Sequence, residues 1–144
     1  MDTIFLLHIL ISFFMCGLIW IIQLVHYPAF RFVDDKQFVQ FESFHTRNIS
    51  LIVVPLMLCE LISAVLLVQY PIMSSRLISL NLIIILAIWI VTFVFSVPCH
   101  KSLTKAKDLR SIRILVNTNW LRTFLWTAKA FLLLFLGLEY FIND

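Results

Sequence analysis

The stretch ISLNLIIILAIWIVTFVFSV, residues 78–97, decides the fold class because it runs for twenty residues without a charged side chain. A helix needs about 20 mostly apolar residues to cross the hydrocarbon core of a bilayer. Similar apolar runs occupy residues 4–26, 51–70 and about 118–141. The sequence therefore predicts an all-α fold, a four-transmembrane-helix bundle in which residues 1–144 form a single integral membrane domain.

The composition of the chain points to a membrane and away from nucleic acid. Hydrophobic residues make up 62% of the 144 residues and charged residues only 13%, whereas soluble domains carry about 25% charged residues. The net charge is +3, but the basic residues stand beside the apolar runs. We therefore expect the lipid bilayer as the main partner and no bound nucleic acid.

The distribution of basic residues predicts the orientation of the bundle. Two of the three loops hold most of them: Arg31, Lys36 and Arg47 after the first run, and Lys101, Lys105, Lys107, Arg110 and Arg113 after the third. The loop after the second run contains only Arg76. Since basic loops stay in the cytoplasm, we expect both termini outside and the two long loops inside.

The first long loop contains a helix signal of its own. Asp34 and Gln37 have the spacing of a capping box, in which the two side chains satisfy the first N–H groups of a helix. Aromatic and histidine side chains then recur at helical spacing, at Phe38, Phe41, Phe44 and His45. We predict a short amphipathic helix that leads into span two, and its simplest role would be to lie on the membrane surface.

Two charged residues fall deep inside the apolar runs. At 1.5 Å rise per residue, Glu60 and Lys129 each lie roughly 15–18 Å into their helices, near the middle of the bilayer. An unpaired charge there costs about 2.5 kcal/mol or more, so we expect a buried Glu60–Lys129 ion pair. Two interpretations stay open, a structural pair that fixes helix neighbours and a proton or ion relay.

Other polar residues concentrate at one end of the bundle, where three histidines lie at the edges of apolar runs. His8 falls at the opposite end of the first run and is not expected to join them. In the third run, Thr92, Ser96 and His100 share a helix face if Pro98 bends the helix without ending it. The candidate pocket residues are His26, Glu42, His45, His100, Asn119 and Arg122.

The chemistry of this candidate pocket has several interpretations. Neutral imidazole is a common ligand for zinc, iron and copper, so His26, His45 and His100 are candidate metal ligands, with Glu42 as a carboxylate. A haem held between His26 and His100 is another option. Arg122 can bind an anionic group or pair with Glu42. The remaining alternatives are a pocket for a lipophilic small molecule, and histidines that only form hydrogen bonds at the interface.

Five segments carry a family resemblance: HYPAF, FESFHTR, PLMLCE, VPCHKSL and TNWLRTFLWT, in this order. As a set they resemble a widespread group of small four-span bacterial membrane proteins without an assigned activity, over residues 17–134. More distantly, Pro98, His100 and Leu103, followed by Trp120 and Arg122, resemble the anthrone oxygenase-like (DUF1772) proteins, which often have asparagine at the position of His100. The resemblance implies a four-span fold in the bacterial inner membrane.

Three functions follow from these observations. The one we favour is an enzyme or redox protein, possessing a metal, redox or oxygenase-like site whose substrate enters from the lipid. The second is a small transporter or proton relay that uses Glu60 and Lys129. The third is a structural or partner-binding membrane protein, in which the buried polar residues only hold the helices together.

Overall fold

The computed structural model describes residues 2–69 and 75–143, and it confirms the all-α four-helix bundle. No strand occurs in these two ranges. Four helical stretches are long and apolar enough to cross a membrane, and we call them the first to fourth spans: Thr3–Phe32, Asp35–Val68, Arg76–Leu103 and Leu109–Tyr140. The chain is therefore an integral membrane protein by the length and composition of its helices.

The helices are longer than predicted at the end of the bundle that holds Pro28 and Pro98, which we call the proline end. The first span consists of α1 (Asp2–Ile21), a π turn (Ile22–His26), α2 (Tyr27–Ala29) and a 3₁₀ turn (Phe30–Phe32). The second span is α3 (Asp35–Val68). The third consists of α4 (Ser75–Val91), a π turn (Thr92–Ser96) and α5 (Val97–Leu103), and the fourth is α6 (Leu109–Asn143).

The amphipathic helix expected before span two is the first part of α3 itself. Asp34 does cap this helix, because its side chain accepts a hydrogen bond from the Lys36 N–H at 2.9 Å. The helix then continues into the second span without a break, and it contains Pro55. Phe38 is fully buried, so this segment packs its apolar face against the bundle instead of lying apart on the membrane surface.

Two π turns occur in corresponding places in the first and third spans. Each is closed by an i to i−5 bond, from the Tyr27 N–H to the Ile22 carbonyl and from the Val97 N–H to the Thr92 carbonyl. A proline follows each closing residue directly. Proline has no N–H and crowds the carbonyl four residues earlier. The extra residue of a π turn relieves that crowding and re-aims the side chains around it.

The four spans follow one another around the bundle, and the fourth packs against the first. Short connections make consecutive spans antiparallel. At the proline end, Lys107 joins the two long loops: its Nζ donates to the Val33 carbonyl and to Asp35 Oδ1, each at 2.7 Å. This tie fixes the ends of the first and third spans beside each other.

The spans expose mainly apolar side chains and bury a set of polar and charged ones. Large apolar side chains such as Leu24, Ile83 and Phe131 are exposed on the outside of the bundle, where a bilayer would surround them. The buried polar and charged side chains are His8, Ser12, Gln23, Glu42, His45, Glu60, Asn81, Ser96, Asn119, Arg122, Thr123 and Lys129. Intramembrane polar groups at such positions are functional candidates by default.

Candidate functional site

The three histidines of the proline end form one contact cluster. His26 Nε2 and His45 Nδ1 lie 2.8 Å apart, within hydrogen-bonding distance. The ring centroid of His45 lies 4.4 Å from that of His26 and 5.5 Å from that of His100. His26 and His45 are 19 positions apart along the chain, and His45 and His100 are 55 positions apart. The structure therefore brings together side chains from three different spans.

The local geometry of each helix places its imidazole in this cluster. His26 is the last residue of the first π turn, and His100 follows Pro98 in α5. His45 stands three residues after Glu42 on α3, so both side chains lie on the same face of that helix. The two π turns change the register of the first and third spans just before the residues that enter the site.

A buried hydrogen-bonded chain joins a carboxylate, an imidazole and a phenol. Glu42 Oε1 lies 2.6 Å from His100 Nδ1, and His100 Nε2 lies 3.0 Å from the Tyr27 hydroxyl. Thr46 donates a further hydrogen bond to Glu42 Oε1 at 3.0 Å. When His100 donates its Nδ1–H to Glu42, its Nε2 accepts from Tyr27. We call this chain the Glu42–His100–Tyr27 relay.

Arg122 lies on the other side of Tyr27 and is almost entirely buried, with 5% exposure. Its Nη1 donates to Ser96 Oγ at 3.2 Å and to Asn119 Oδ1 at 3.1 Å. The guanidinium also lies close enough to the Tyr27 hydroxyl to interact with it electrostatically. The guanidinium stacks over the Trp126 ring, with 5.2 Å between the guanidinium carbon and the ring centroid.

A second set of bonds fixes Asn119 and thereby Arg122. The Asn119 amide donates to Gln23 Oε1 at 2.8 Å, and the Gln23 amide donates to the Val116 carbonyl at 3.2 Å. All of these groups are buried. The candidate residues Asn119 and Arg122 thus join the histidine cluster through Tyr27, while the expected alternative of an Arg122–Glu42 pair is not formed, because Glu42 bonds to His100 and Thr46.

Two cavities open beside this polar cluster. The larger, of about 550 Å³, lies between the second and third spans. Its polar lining includes Tyr27, Thr92, Ser96, His100 and Arg122, and its walls include Ile49, Val53, Met57, Trp89 and Phe93. The smaller, of about 280 Å³, lies between the first and second spans and is lined by His26, His45, Asn48 and several apolar side chains.

Four buried polar atoms of the described residues have no hydrogen-bond partner: Glu42 Oε2, His45 Nε2, Trp89 Nε1 and Arg122 Nε. Leaving such a group unpaired costs about 1–3 kcal/mol, so each calls for an explanation. Trp89 and Arg122 line the larger cavity and His45 lines the smaller one. Three of these four residues therefore line a cavity that could hold a bound molecule.

The imidazoles of this cluster are candidate ligands for a metal ion or for haem. Within residues 2–69 and 75–143, no three histidine, cysteine, aspartate or glutamate side chains are arranged to hold one metal ion. Nitrogens of His26 and His45 already face each other, so metal binding by the three histidines stays a prediction. Haem does not fit, because the ring of His45 occupies the space between His26 and His100 that a macrocycle would need.

The mid-bundle charges form a second group, which Trp126 joins to Arg122 of the first. Lys129 and Glu60 make a buried salt bridge. The Lys129 ammonium also donates to Ser12 Oγ at 2.6 Å, and the Trp126 indole donates to Glu60 Oε2 at 3.2 Å. This pair connects the second and fourth spans across the centre of the bundle.

His8 belongs to a third group, at the opposite end of the bundle from the three other histidines. Its Nδ1 lies 2.6 Å from Ser63 Oγ, and its Nε2 lies 3.1 Å from the Asn81 amide nitrogen. Both contacts cross between spans, since Ser63 is on the second span and Asn81 on the third. His8 thus helps to hold three spans together and does not reach the candidate site.

Sequence reasoning missed Tyr27 as the link between His100 and Arg122, and it missed Trp89 as an unpaired donor. Tyr27 stands inside the HYPAF segment, directly after His26, and that segment was the available signal. Comparisons with models of protein families, with curated proteins and with solved structures found no match. The family resemblance of the sequence motifs therefore stays a prediction.

Proposed function

We propose that this protein binds a lipophilic small molecule in the larger cavity and carries out acid–base chemistry on it with the Glu42–His100–Tyr27 relay. The observation that carries the proposal is the cavity of about 550 Å³, which is lined by His100, Tyr27 and Arg122. Its volume lies within the range of about 300–1,000 Å³ typical of small-molecule sites. Its apolar walls suit a molecule that arrives from the bilayer.

The relay has the parts that proton transfer requires. Glu42 accepts the Nδ1–H of His100 and so fixes the imidazole orientation, which leaves Nε2 as the group that exchanges a proton. Tyr27 shares that proton, and Arg122 stabilises negative charge that develops on the Tyr27 oxygen or on a bound oxygen nearby. All four side chains are held by hydrogen bonds within the bundle, so little reorganisation accompanies the transfer.

The test of binding is a comparison of small molecules extracted from the detergent-purified protein. Val53→Trp fills the larger cavity, and Val65→Trp adds the same bulk on the same span away from it. Mass spectrometry should find a compound that is enriched in the wild type and in Val65→Trp and is lost in Val53→Trp. Equal extracts from all three proteins would contradict the proposal.

We also propose that the proline end faces the cytoplasm of a bacterial inner membrane. The basic loop residues favour this orientation, and Lys101, Lys105 and Lys107 all stand at this end. A cysteine placed by Lys105→Cys should react with a membrane-impermeant maleimide only after the cells are permeabilised. Labelling of intact cells at this position would reverse the orientation.

A metal centre is the second candidate, because the His45 ring packs against both other imidazoles and two ligand-type atoms nearby, His45 Nε2 and Glu42 Oε2, have no partner. His26, His45, His100 and Glu42 would hold the ion after rotation of the His26 and His45 rings. A bound ion would supply Lewis-acid or redox chemistry. Elemental analysis and an absorption spectrum of the purified protein, beside a variant with all three histidines changed to alanine, decide this candidate.

Near-stoichiometric metal that disappears in the triple variant would establish the centre. Equal metal content in the two proteins, after purification from metal-supplemented cells, would remove it. The binding test above is independent of this outcome, since Val53→Trp leaves all four candidate ligands in place.

A further inference from the structure

We infer that the molecule bound in the larger cavity carries an anionic carboxylate at its polar end, held by Arg122 and Trp89. This inference rests on the proposed function and deepens it by naming the class of ligand. It follows from the charge of the buried groups, from the hydrogen bonds that Arg122 makes and leaves unmade, and from the apolar walls of the cavity.

The first argument is the charge of Arg122. A buried cation is costly unless an anion or several hydrogen bonds compensate it. Within residues 2–69 and 75–143, the hydrogen bonds of Arg122 go to Ser96 and Asn119, and Tyr27 lies close by. All three side chains are neutral in their ordinary forms. The two nearest buried carboxylates have other partners, since Glu60 binds Lys129 and Glu42 binds His100.

The second argument is the shape of the remaining donor set. Nη1 of Arg122 is used by Ser96 and Asn119, whereas Nε is buried and has no partner. The guanidinium presents its N–H groups as a planar fork that matches the two oxygens of a carboxylate. Trp89 Nε1, which is also unpaired, adds a donor from the third span at the same cavity.

The third argument is that Arg122 is positioned in advance. Asn119 accepts a bond from it while donating to Gln23, which in turn donates to the Val116 carbonyl. The Trp126 ring stacks on the guanidinium. A side chain fixed in this way binds an anion with little loss of conformational freedom, and its partners contribute no negative charge that would compete with one.

The rest of the cavity specifies the body of the ligand. Its walls are apolar, with Ile49, Val53 and Met57 from the second span and Phe93 from the third. The cavity is partly open towards the outside of the bundle, where the exposed side chains are apolar. A single-chain amphiphile can therefore keep its tail in the membrane-facing part while its carboxylate reaches Arg122.

The test uses 9,10-dibromostearic acid and its methyl ester, which differ only in the charge of the polar end. Bromine quenches tryptophan fluorescence on contact, and Trp89 lines the cavity. Saturable quenching of the purified protein in neutral detergent gives an apparent affinity for each compound. The acid should bind about tenfold or more tightly than the ester, as expected for charge-assisted hydrogen bonds.

Two arginine variants on the fourth span separate the site from general charge effects. Arg122→Gln should reduce the preference for the acid to within about threefold, whereas Arg113→Gln, an exposed control, should leave it unchanged. Because acid and ester are compared within each protein, differences in their partition into micelles cancel. If Arg122→Gln does not fold, Trp89→Phe replaces it, since that indole N–H has no protein partner. Because Trp89 is the fluorescent reporter, the affinities of this variant and of the wild type are then measured by isothermal titration calorimetry, and the acid preference should fall several-fold.

The outcomes distinguish the inference from the proposal beneath it. Equal saturable quenching by acid and ester in the wild type, abolished by Val53→Trp, would overturn the carboxylate inference and leave lipophilic binding in place. Quenching by both compounds that never saturates, or that Val53→Trp does not change, would overturn both. An acid preference that survives in Arg122→Gln and in Trp89→Phe would also overturn the inference.

Discussion

The middle of the bundle and its proline end both contain buried charge, but they treat it differently. In the middle, Lys129 and Glu60 satisfy each other, and Ser12 and Trp126 complete the set. At the proline end, Glu42, His45 and Arg122 each keep one buried atom without a partner, and two cavities lie beside them.

The contrast separates a structural cluster from a candidate site. A closed network can serve its structural purpose without any further molecule, because every strong donor meets an acceptor. A network with unpaired atoms beside a cavity is costly alone and becomes complete when a ligand binds. We therefore propose that the Glu60–Lys129 pair serves stability and that the proline end serves function.

The largest expected effect is the loss of one partner of the closed pair. Lys129→Met leaves the Glu60 carboxylate buried without its cation and should destabilise the protein by about 3–5 kcal/mol. The double variant Glu60→Leu with Lys129→Met removes both charges and should recover most of that loss. Thermal unfolding in detergent measures both variants.

The same variants test the relay interpretation of this pair. If the double variant is stable but loses a proton flux that the wild type shows in proteoliposomes, the pair has a transport role. The assignment to stability would then be wrong. The expected result is a folded double variant whose proton permeability equals that of the wild type.

A matched pair of tryptophan substitutions sharpens the comparison at the level of single hydrogen bonds. Trp126→Phe removes a donor to Glu60 Oε2 and should cost about 1.5–3 kcal/mol, the range for hydrogen bonds to charged groups. Trp89→Phe removes a donor that has no protein partner, so the ligand-free protein should lose at most about 1 kcal/mol. Equal losses in thermal unfolding would mean that the two regions do not differ as described.

Of the two buried clusters, only the mid-bundle pair could be predicted from the sequence. The Glu60–Lys129 contact could be predicted because depth in a helix follows from residue number and an unpaired charge is excluded from the bilayer core. The relay could not, because it depends on side-chain rotamers and on two π turns, each of which shifts the helix register by one residue. The helical spacing of Thr92, Ser96 and His100 predicts that they share a face, but it does not indicate where a π turn shifts the register.

The cavities and the unpaired atoms are even harder to predict from the sequence. They result from how side chains of the second and third spans pack, and residues such as Val53 and Trp89 are ordinary members of an apolar run. The helix predicted before span two is present, but its position inside the bundle could not be predicted for a related reason. The helical spacing of its Phe38, Glu42 and His45 suits a helix on a membrane surface as well as a helix packed inside a bundle.

A smaller effect is expected from Glu42→Gln, which keeps the shape of the side chain. The glutamine oxygen still accepts from His100 or Thr46, so the protein should lose only about 0.5–1.5 kcal/mol. This loss should be well below that of Lys129→Met, because no isolated charge is created. A loss as large as that of Lys129→Met would show that the proline end is as dependent on paired charge as the middle.

The smallest effect concerns the loop that closes the proline end, where Asp108 caps the fourth span. Its carboxylate accepts from the N–H groups of Arg110 and Ser111, each at 3.0 Å, and from the Ser111 hydroxyl at 2.6 Å. The hydrogen bond from the Ser111 side chain, followed by those from the two backbone N–H groups, lowers the pKa of Asp108 from its ordinary value of 3.8.

A lowered pKa in the folded state means that the charged carboxylate favours folding. Its contribution is complete above pH 3.8, the ordinary value, and is lost as the pH falls through the lower pKa of the folded protein. Asp108→Ala should therefore unfold at a slightly lower temperature than the wild type at pH 7, and this difference should shrink in acid. If this difference in unfolding temperature stays constant on acidification, the effect of Asp108 has a cause other than its charge. That result would also distinguish this exposed cap from both buried clusters.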